Sequence, residues 1–105
     1  MQFIETPIFT RVVNELLSDE QYRDLQLALL LRPNLGRTIR GSAGLRKTRW
    51  SLRGHGKRGG VRVIYYWDRR TETFYMLHVY AKSEREDLTP QQIRFLSRLV
   101  REEFR

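Results

Sequence analysis

The stretch from Leu45 to Trp67 reads LRKTRWSLRGHGKRGGVRVIYYW, and it decides the fold. Residues 45–53 alternate in character, and this period of two predicts a strand with one apolar face and one cationic face. Residues 61–67 are almost all β-branched or aromatic and predict a second strand. The basic, glycine-rich segment 54–60 predicts a loop that joins the two as neighbours. The alternating residues are Thr48, Trp50 and Leu52 on one side and Lys47, Arg49 and Ser51 on the other.

The segments after this strand pair predict one more strand and a final helix. Residues 68–73 are polar and predict a turn, and Phe74 to about Lys82 predicts a third strand. Thr89 and the residues that follow it then give the start signals of a helix: an N-cap residue, a proline at the first helical position and a capping box. Because consecutive strands with short links are usually paired, these strands favour an antiparallel meander.

The segments before the strand pair predict a short strand and two helices. Residues 2–5 can form a strand, and Thr6, followed by a proline, predicts a helix start. Ser18, three residues before a glutamine, predicts a second start with a capping box. Pro33 ends that helix, and residues 33–44 predict a loop. The order is β-α-α-β-β-β-α, an α+β fold in which a helical hairpin and a C-terminal helix pack on an antiparallel sheet.

The length and composition of the chain exclude several classes of protein. Its 105 residues predict one domain spanning 1–105. No apolar run approaches the roughly 18 residues of a membrane span, and the first residues lack the basic and apolar regions of a secretory signal. Cysteine is absent, which excludes disulfides and thiolate metal sites. We therefore expect a cytoplasmic protein with no membrane partner, metal or other cofactor.

The charge of the chain is strongly positive and unevenly distributed. The formal net charge is +8, from 20 basic and 12 acidic residues. Residues 37–67 contain nine of the basic residues and no Asp or Glu. Such an excess draws a protein to polyanions and favours a nucleic-acid partner, although a solvated basic face without a role is the alternative. The nine are Arg37, Arg40, Arg46, Lys47, Arg49, Arg53, Lys57, Arg58 and Arg62.

Common catalytic motifs are missing from the sequence. It has no GxSxG, P-loop or HExxH pattern, and its two histidines are too few for a typical zinc site. His78 lies in an apolar strand and reads as structural. His55 lies in a glycine-rich loop and either approaches a phosphate or is simply solvated. That loop joins two strands, whereas a Walker loop leads into a helix, so nucleotide binding there is excluded.

The candidate chemistry lies in the cations of the strands. Lys47 and Arg49 share a sheet face, and Lys82 at the end of the last strand could reach the same groove. Arg62 lies between two valines, where a charge needs either a carboxylate partner such as Asp87 or a groove. Together these cations could hold a phosphodiester and stabilise its developing charge. RNA brings its own 2′-hydroxyl nucleophile, so no metal is needed. The alternative is backbone binding without chemistry.

The residues of the strand pair resemble those of the RelE/ParE toxin superfamily. The resemblance rests on residues 44–50, GLRKTRW, on residues 56–67, GKRGGVRVIYYW, and on residues 80–82, YAK. Within the superfamily the chain looks most like the HigB branch, in which the GKRGG segment before the arginine-containing strand is frequent. The resemblance extends over nearly the whole chain, and residues 45–66 are its most specific part.

This resemblance implies a curved antiparallel sheet with helices against it and a toxin of a type II toxin–antitoxin system. Such a toxin is a ribosome-dependent endoribonuclease that cleaves mRNA and blocks translation. The resemblance implies that Lys47, Arg49 and Arg62 bind and activate the scissile phosphate, and Lys82 matches the lysine at the end of the last strand. It also implies a cognate antitoxin, expected to be a small helix-turn-helix protein, and a toxin–antitoxin complex that binds operator DNA.

Two positions depart from the RelE pattern, so the proton-transfer roles do not carry over. Ser83 stands where RelE has an arginine, and Thr89 is the nearest match to its tyrosine. The candidate substitutes are Tyr66, Tyr80, Lys57 and His55. The residues predicted to contact RNA are Arg46, Arg53, His55, Lys57, Arg58, Tyr66 and Tyr80.

Three functions are compatible with the sequence. The leading one is the mRNA interferase. The second is a ParE-like inhibitor of DNA gyrase, a branch that shares the fold but usually lacks this density of cations on the middle strands. The third is a non-catalytic, basic RNA-binding module. Translation arrest as opposed to DNA damage distinguishes the first two, and a neighbouring gene for a small helix-turn-helix protein would favour either of them over the third.

Overall fold

The computed structural model describes residues 1–51, 60–82 and 87–103. The observed order is the predicted β-α-α-β-β-β-α with one short strand added inside the segment predicted as a loop, and the α+β class is confirmed. In chain order the elements are β1 (Gln2–Glu5), α1 (Pro7–Leu16), α2 (Asp19–Leu31), β2 (Arg37–Thr38), β3 (Arg46–Trp50), β4 (Val61–Asp68), β5 (Thr73–Ala81) and α3 (Pro90–Glu103).

The five strands form one sheet in the order β1-β5-β4-β3-β2. Strands β3, β4 and β5 are antiparallel neighbours, which confirms the predicted meander. The added strand β2 pairs antiparallel with β3 at one edge. Strand β1 pairs parallel with β5 at the other edge, so the sheet is mixed rather than wholly antiparallel. This is possible because the two helices that follow β1 carry the chain across the sheet to its far edge.

Hydrogen bonds at the helix starts confirm the three predicted caps. The Thr6 hydroxyl accepts the Phe9 N–H at 3.1 Å. Ser18 and Gln21 exchange two bonds of 3.1 and 2.8 Å, which is a complete capping box. Thr89 and Gln92 form the equivalent capping box: the Thr89 N–H donates to the Gln92 side chain at 2.9 Å, and the Gln92 N–H donates to the Thr89 hydroxyl at 3.1 Å. Since each cap satisfies otherwise unpaired N–H groups, it fixes the residue at which its helix begins.

The helices form a layer on each face of the sheet, and each layer has its own core. The first core lies between the sheet and the α1–α2 hairpin, whose helices are separated only by Leu17 and Ser18. The second core lies under α3 on the opposite face. Buried residues of the first core include Phe9, Val13, Leu25, Leu29, Val63 and Tyr65, and those of the second include Leu45, Ile64, Leu77, Leu96 and Val100.

A register shift in the middle of the sheet supplies side chains to both cores. Ile64 is opposite His78 and Tyr65 is opposite Met76, so Leu77 has no partner of its own on β4. This β-bulge lets Leu77 join the second core while Met76 stays in the first. Strand β5 is therefore buried on both faces over most of its length.

Hydrogen bonds at Tyr65 and Gly36 connect the segment before β2 to the central strands. The Tyr65 hydroxyl donates to the Pro33 carbonyl at 2.8 Å and accepts the Gly36 N–H at 2.9 Å. The backbone of Gly36 approaches β3 so closely that an added Cβ would lie 2.9 Å from the Lys47 carbonyl oxygen. Arg46 donates to the Gly36 carbonyl at 2.7 Å. These contacts hold the short strand β2 at the edge of β3.

No helix in the described part of the chain has the length and hydropathy that a transmembrane span requires.

Candidate nucleic-acid interface

A cationic cleft of about 530 Å³ opens on the face of the sheet that carries α3. Its walls come from β2, β3 and β4 and from the segment before β2. We call it the cationic cleft because four of the six described residues that line it are basic and none of those six is acidic. They are Leu35, Arg37, Lys47, Thr48, Arg49 and Arg62.

The strand register explains why four cations meet on one face. Arg37 is opposite Lys47 across β2 and β3, and Arg49 is opposite Arg62 across β3 and β4. Directly opposed residues of antiparallel strands project to the same side, with Cβ atoms about 4.5–5.5 Å apart. Like charges in such positions repel and destabilise the sheet. An anion bound between them would lower this cost.

Arg62 lies at the bottom of the cleft. Its side chain comes from the middle of β4, and the residue is only 6% exposed. Among the described residues it donates no hydrogen bond, and no carboxylate oxygen lies within 4.0 Å of its guanidinium. A buried charge without a partner is costly. The planar guanidinium offers paired N–H donors that match two oxygens of a phosphate, and the cleft gives such a ligand access.

Lys47 lies nearer the mouth of the cleft and is paired. Its Nζ donates to Asp87 Oδ1 at 2.9 Å, and the two side chains are 30% and 65% exposed. The hydrogen bond from Lys47 holds the pKa of Asp87 below its ordinary value, with smaller contributions from the Leu88 N–H and the charge of Arg62. The carboxylate suggested as a partner for Arg62 thus bonds to Lys47 instead.

The cleft has the groups needed to bind a phosphodiester and to stabilise charge on it. Arg62 and Arg49 provide guanidinium groups and Lys47 an ammonium group, all directed from rigid strands rather than from loops. Preorganised donors of this kind act most strongly where solvent is limited, as it is around Arg62. In the described part of the chain, no cluster of three or more His, Cys, Asp or Glu side chains could hold a metal ion.

Two of the predicted site residues lie on β5 and its end, next to the cleft. Tyr80 is opposite Arg62, so both project to the same face, and Tyr80 is 6% exposed beside the His78 ring. Lys82 follows β5, and its N–H bonds to the Gly60 carbonyl at 3.2 Å. This bond places Lys82 beside the start of β4, but its side chain is not part of the cleft wall.

The other predicted RNA contacts are more scattered. Tyr66 is on the same face but packs in the second core with its ring stacked on Tyr75, 6.2 Å between centroids. Arg46 projects from the opposite face of β3, since it is opposite Tyr65, and it bonds to Gly36. The structure therefore does not bring Arg46 to the cleft. Four further predicted residues lie outside the described ones: Arg53, His55, Lys57 and Arg58.

Sequence reasoning missed Arg37 as a member of the site. The sequence counts it among the nine basic residues but predicts a loop for residues 33–44, so no pattern in the sequence places it beside Lys47. The pairing of β2 with β3 brings it into the cleft. The only signal in the sequence was the arginine–threonine step after Gly36, and a strand of two residues has too little periodicity to be recognised.

The fold and this cleft define a class: an α+β protein with helices on both faces of a five-stranded sheet and cations on its middle strands. Several solved structures match that fold, and two of them are E. coli proteins. The first is a variant of the E. coli toxin RelE in the free state, with two arginines replaced by alanine. It has 16% identity and a TM-score of 0.56, and the match covers 80% of this chain and 85% of that chain.

The second is the intact E. coli RelBE toxin–antitoxin complex, with 18% identity and a TM-score of 0.57 over 75% of this chain and 93% of that chain. No protein-family profile matches the sequence. At these identities the similarity establishes the fold, so the chain has the RelE fold, as the sequence predicted.

Proposed function

We propose that this protein is the toxin of a type II toxin–antitoxin system, of the HigB-like branch, and that it cleaves mRNA on the ribosome. The observation that carries the proposal is Arg62: a residue only 6% exposed whose guanidinium has no hydrogen-bond partner among the described residues, at the bottom of a cleft that three further described cations line. Such a site is suited to the phosphodiester of an RNA. The RelE fold of the chain is consistent with this chemistry.

The proposed reaction is attack of a ribose 2′-hydroxyl on the adjacent phosphorus. The new 2′-O–P bond forms as the P–O5′ bond breaks, which gives a 2′,3′-cyclic phosphate and a free 5′-hydroxyl. The proton leaves the 2′-oxygen and a proton is delivered to the 5′-oxygen. Arg62, Arg49 and Lys47 stabilise the negative charge that builds up on the non-bridging oxygens, and Arg37 binds the neighbouring backbone.

The proposed proton-transfer group is Tyr80. It lies directly opposite Arg62 on the same face of the sheet, whereas Tyr66 lies four positions further along β4, opposite Tyr75. Both tyrosines belong to the second core, so their distance from Arg62 along the sheet distinguishes them. Because the described residues of the cleft wall include no carboxylate or histidine, we propose that the ribosome aligns the 2′-hydroxyl for attack.

The proposed partners are a cognate antitoxin, mRNA and the ribosome. The E. coli RelE fold occurs in a complex with its antitoxin, and a net charge of +8 favours fast association with an acidic or amphipathic antitoxin segment. We expect that segment to cover the cationic cleft. We also expect the protein to act in the cytoplasm and the toxin–antitoxin complex to bind operator DNA. Antitoxin affinity that does not change with salt would contradict this mode of binding.

The test is toe-printing on programmed ribosomes with purified protein. Wild type should produce cuts in mRNA on the ribosome, and naked mRNA should be cut far more slowly. Arg62→Ala should abolish the cuts, and Arg62→Lys should restore little, because an ammonium cannot give two parallel hydrogen bonds. The matched control is Arg23→Ala, an exposed arginine on α2 across the sheet, which should cut like wild type. Intact mRNA with folded wild-type protein, or DNA damage in place of translation arrest in cells, would refute the proposal.

A further inference from the structure

Asp87 is the acidic residue that acts on the cationic cleft, as far as the described residues show. Its Oδ1 atom lies 2.9 Å from Lys47 Nζ at the mouth of the cleft. The charge of Arg62 at the bottom of the cleft also acts on this carboxylate, although it makes no ion pair with it. Asp87 therefore occupies a position where an anion is held by a cation of β3 and attracted by a cation of β4.

The position of Asp87 is set by the start of α3. Its carboxylate also accepts the N–H of Leu88 at 3.0 Å. Leu88 is buried in the second core, and Thr89 caps α3 immediately afterwards. The buried Leu88 and the cap at Thr89 thus fix the backbone next to Asp87, while the Asp87 side chain remains 65% exposed. A fixed but exposed anion at the edge of a cationic cleft is in a position to compete with a ligand.

The weakness of the Lys47–Asp87 ion pair favours the replacement of Asp87 by a phosphate. An ion pair as exposed as Lys47–Asp87 contributes little to stability, because water and salt screen it. Arg62 gains no hydrogen bond from Asp87, since the two are not within ion-pair distance. A phosphate that reaches Arg62 as well as Lys47 would satisfy both cations, and the Asp87 carboxylate would be freed into solvent at small cost.

We propose that Asp87 is an intramolecular counter-ion of the cationic cleft: it holds Lys47 in the free protein, and a phosphodiester of the RNA replaces it. The inference deepens the proposed function and rests on RNA phosphate binding in this cleft. Its consequence is selectivity. A polyanion that touches only the mouth of the cleft is repelled by Asp87, whereas a phosphate seated against Arg62 gains enough to displace it.

The experiment measures RNA binding without cleavage. Purified protein is titrated against a fluorescent single-stranded RNA whose 2′-hydroxyls are methylated, at fixed low salt, and the dissociation constant is read from anisotropy. Asp87→Asn should tighten binding by about threefold to tenfold, because it removes a competing charge at the surface. Asp87→Glu keeps the charge and should bind like wild type. The matched control is Glu15→Gln, which changes the net charge equally from an exposed position on α1 across the sheet, and it should also bind like wild type.

A second arm tests whether Asp87 acts through Lys47. In a Lys47→Met background the gain from Asp87→Asn should shrink markedly, because there is no longer an ammonium group to release. An equal gain in that background would overturn the inference, as would an equal gain in Asp87→Glu. Unchanged or weaker RNA binding by Asp87→Asn, with an unchanged melting temperature, would also overturn it, because Asp87 would then be a positioning residue for Lys47 rather than a competitor.

The two proposals fail in different ways. If the methylated RNA binds and Asp87→Asn tightens it, while wild type leaves mRNA intact on programmed ribosomes, the endoribonuclease proposal is refuted and the counter-ion inference survives. If Arg62→Ala binds the methylated RNA as well as wild type does, the cleft is not the phosphate site and the counter-ion inference is overturned, whatever the ribosomes show.

Discussion

The two faces of the central sheet are made from the same strands but are covered to different extents. On one face, α1 and α2 contribute Phe9 and Leu25 to a continuous apolar core that also contains Val61 and Val63 of β4. On the other face, α3 covers Ile64 and its neighbours, and the end of β4 that carries Arg62 is left to the cationic cleft. Adjacent residues of β4 therefore belong to different surfaces: Val61 and Val63 to the first core and Arg62 to the cationic cleft.

The difference between the two faces shows where a strand of this sheet can carry a charged residue. A strand buried on both faces usually consists of apolar residues throughout, as most of β4 does. Arg62 interrupts that pattern, and its side chain lines the cationic cleft instead of joining the second core. We therefore expect changes on the hairpin face to affect stability and changes on the α3 face near the cleft to affect activity. The following predictions test that division, from the largest effect to the smallest.

Phe9→Ala tests the hairpin face. Phe9 is fully buried in the first core and its ring lies 5.8 Å from that of Tyr22. Truncation of a buried phenylalanine typically costs about 3–5 kcal/mol, so the free energy of unfolding in urea should fall by that amount. Cleavage per folded molecule on programmed ribosomes should not change. A loss of cleavage in the fully folded variant would show that the two faces are coupled.

Arg62→Ala tests the cleft, with the opposite expectation. Loss of one preorganised contact to a developing charge costs about 2.7–4 kcal/mol of transition-state stabilisation, or roughly 10²–10³ in rate. The melting temperature should not fall, because the variant loses a buried charge without a hydrogen-bond partner among the described residues. Lys47→Ala and Arg49→Ala should combine with it non-additively. A lowered melting temperature with undiminished cleavage by the folded fraction would make Arg62 structural.

Tyr65→Phe tests the tie between β4 and the segment before β2. The hydroxyl bonds to both Pro33 and Gly36, and burial raises the pKa of Tyr65, so it stays neutral at any working pH. Its removal leaves the Gly36 N–H without its acceptor, at a cost of about 1–3 kcal/mol. Because this tie supports β2, cleavage should fall modestly through displacement of Arg37. Unchanged urea stability would show that water replaces the hydroxyl.

The smallest expected effect is the pH dependence of the Lys47–Asp87 pair. Since Lys47 lowers the pKa of Asp87 in the folded chain, the unfolded chain takes up a proton there at higher pH. The pair's contribution to stability is therefore present above the ordinary aspartate pKa of about 3.9 and lost as pH falls through the lower folded value. Solvent screening limits it to about 0.2–1 kcal/mol. Urea unfolding of wild type and Asp87→Asn should differ by this much at pH 7 and converge in acid; a constant difference would contradict the assignment.

Much of the fold was predictable because its signals are local. The caps at Thr6, Ser18 and Thr89 each depend on residues within three positions of one another, and all three form as predicted. The period of two in residues 45–53 and the β-branched and aromatic run of 61–67 likewise predict β3 and β4. Strand β4 extends one residue past its predicted end, whereas β3 covers only Arg46–Trp50, and Ser51 lies outside it.

The candidate site was predictable in part for the same reason. Because alternate residues of a strand share a face, the placement of Lys47 with Arg49 followed from their spacing, and the register puts Arg62 beside Arg49 on that face. The catalytic roles of these residues stay predictions. The assignment of Arg46 to the RNA surface came from its charge alone, and the same alternation directs it to the opposite face.

The sequence by itself determined every observed element except β2, the basic character of the middle strands and the resemblance to the RelE fold. Only the tertiary structure decided how distant segments meet: β1 parallel to β5, Arg37 beside Lys47, and Asp87 bonded to Lys47 across 40 positions of the chain. The physical reason is that these contacts depend on strand register and on the path of the chain across the sheet. Both are set by how two cores are filled at once, and no short pattern of residues records that.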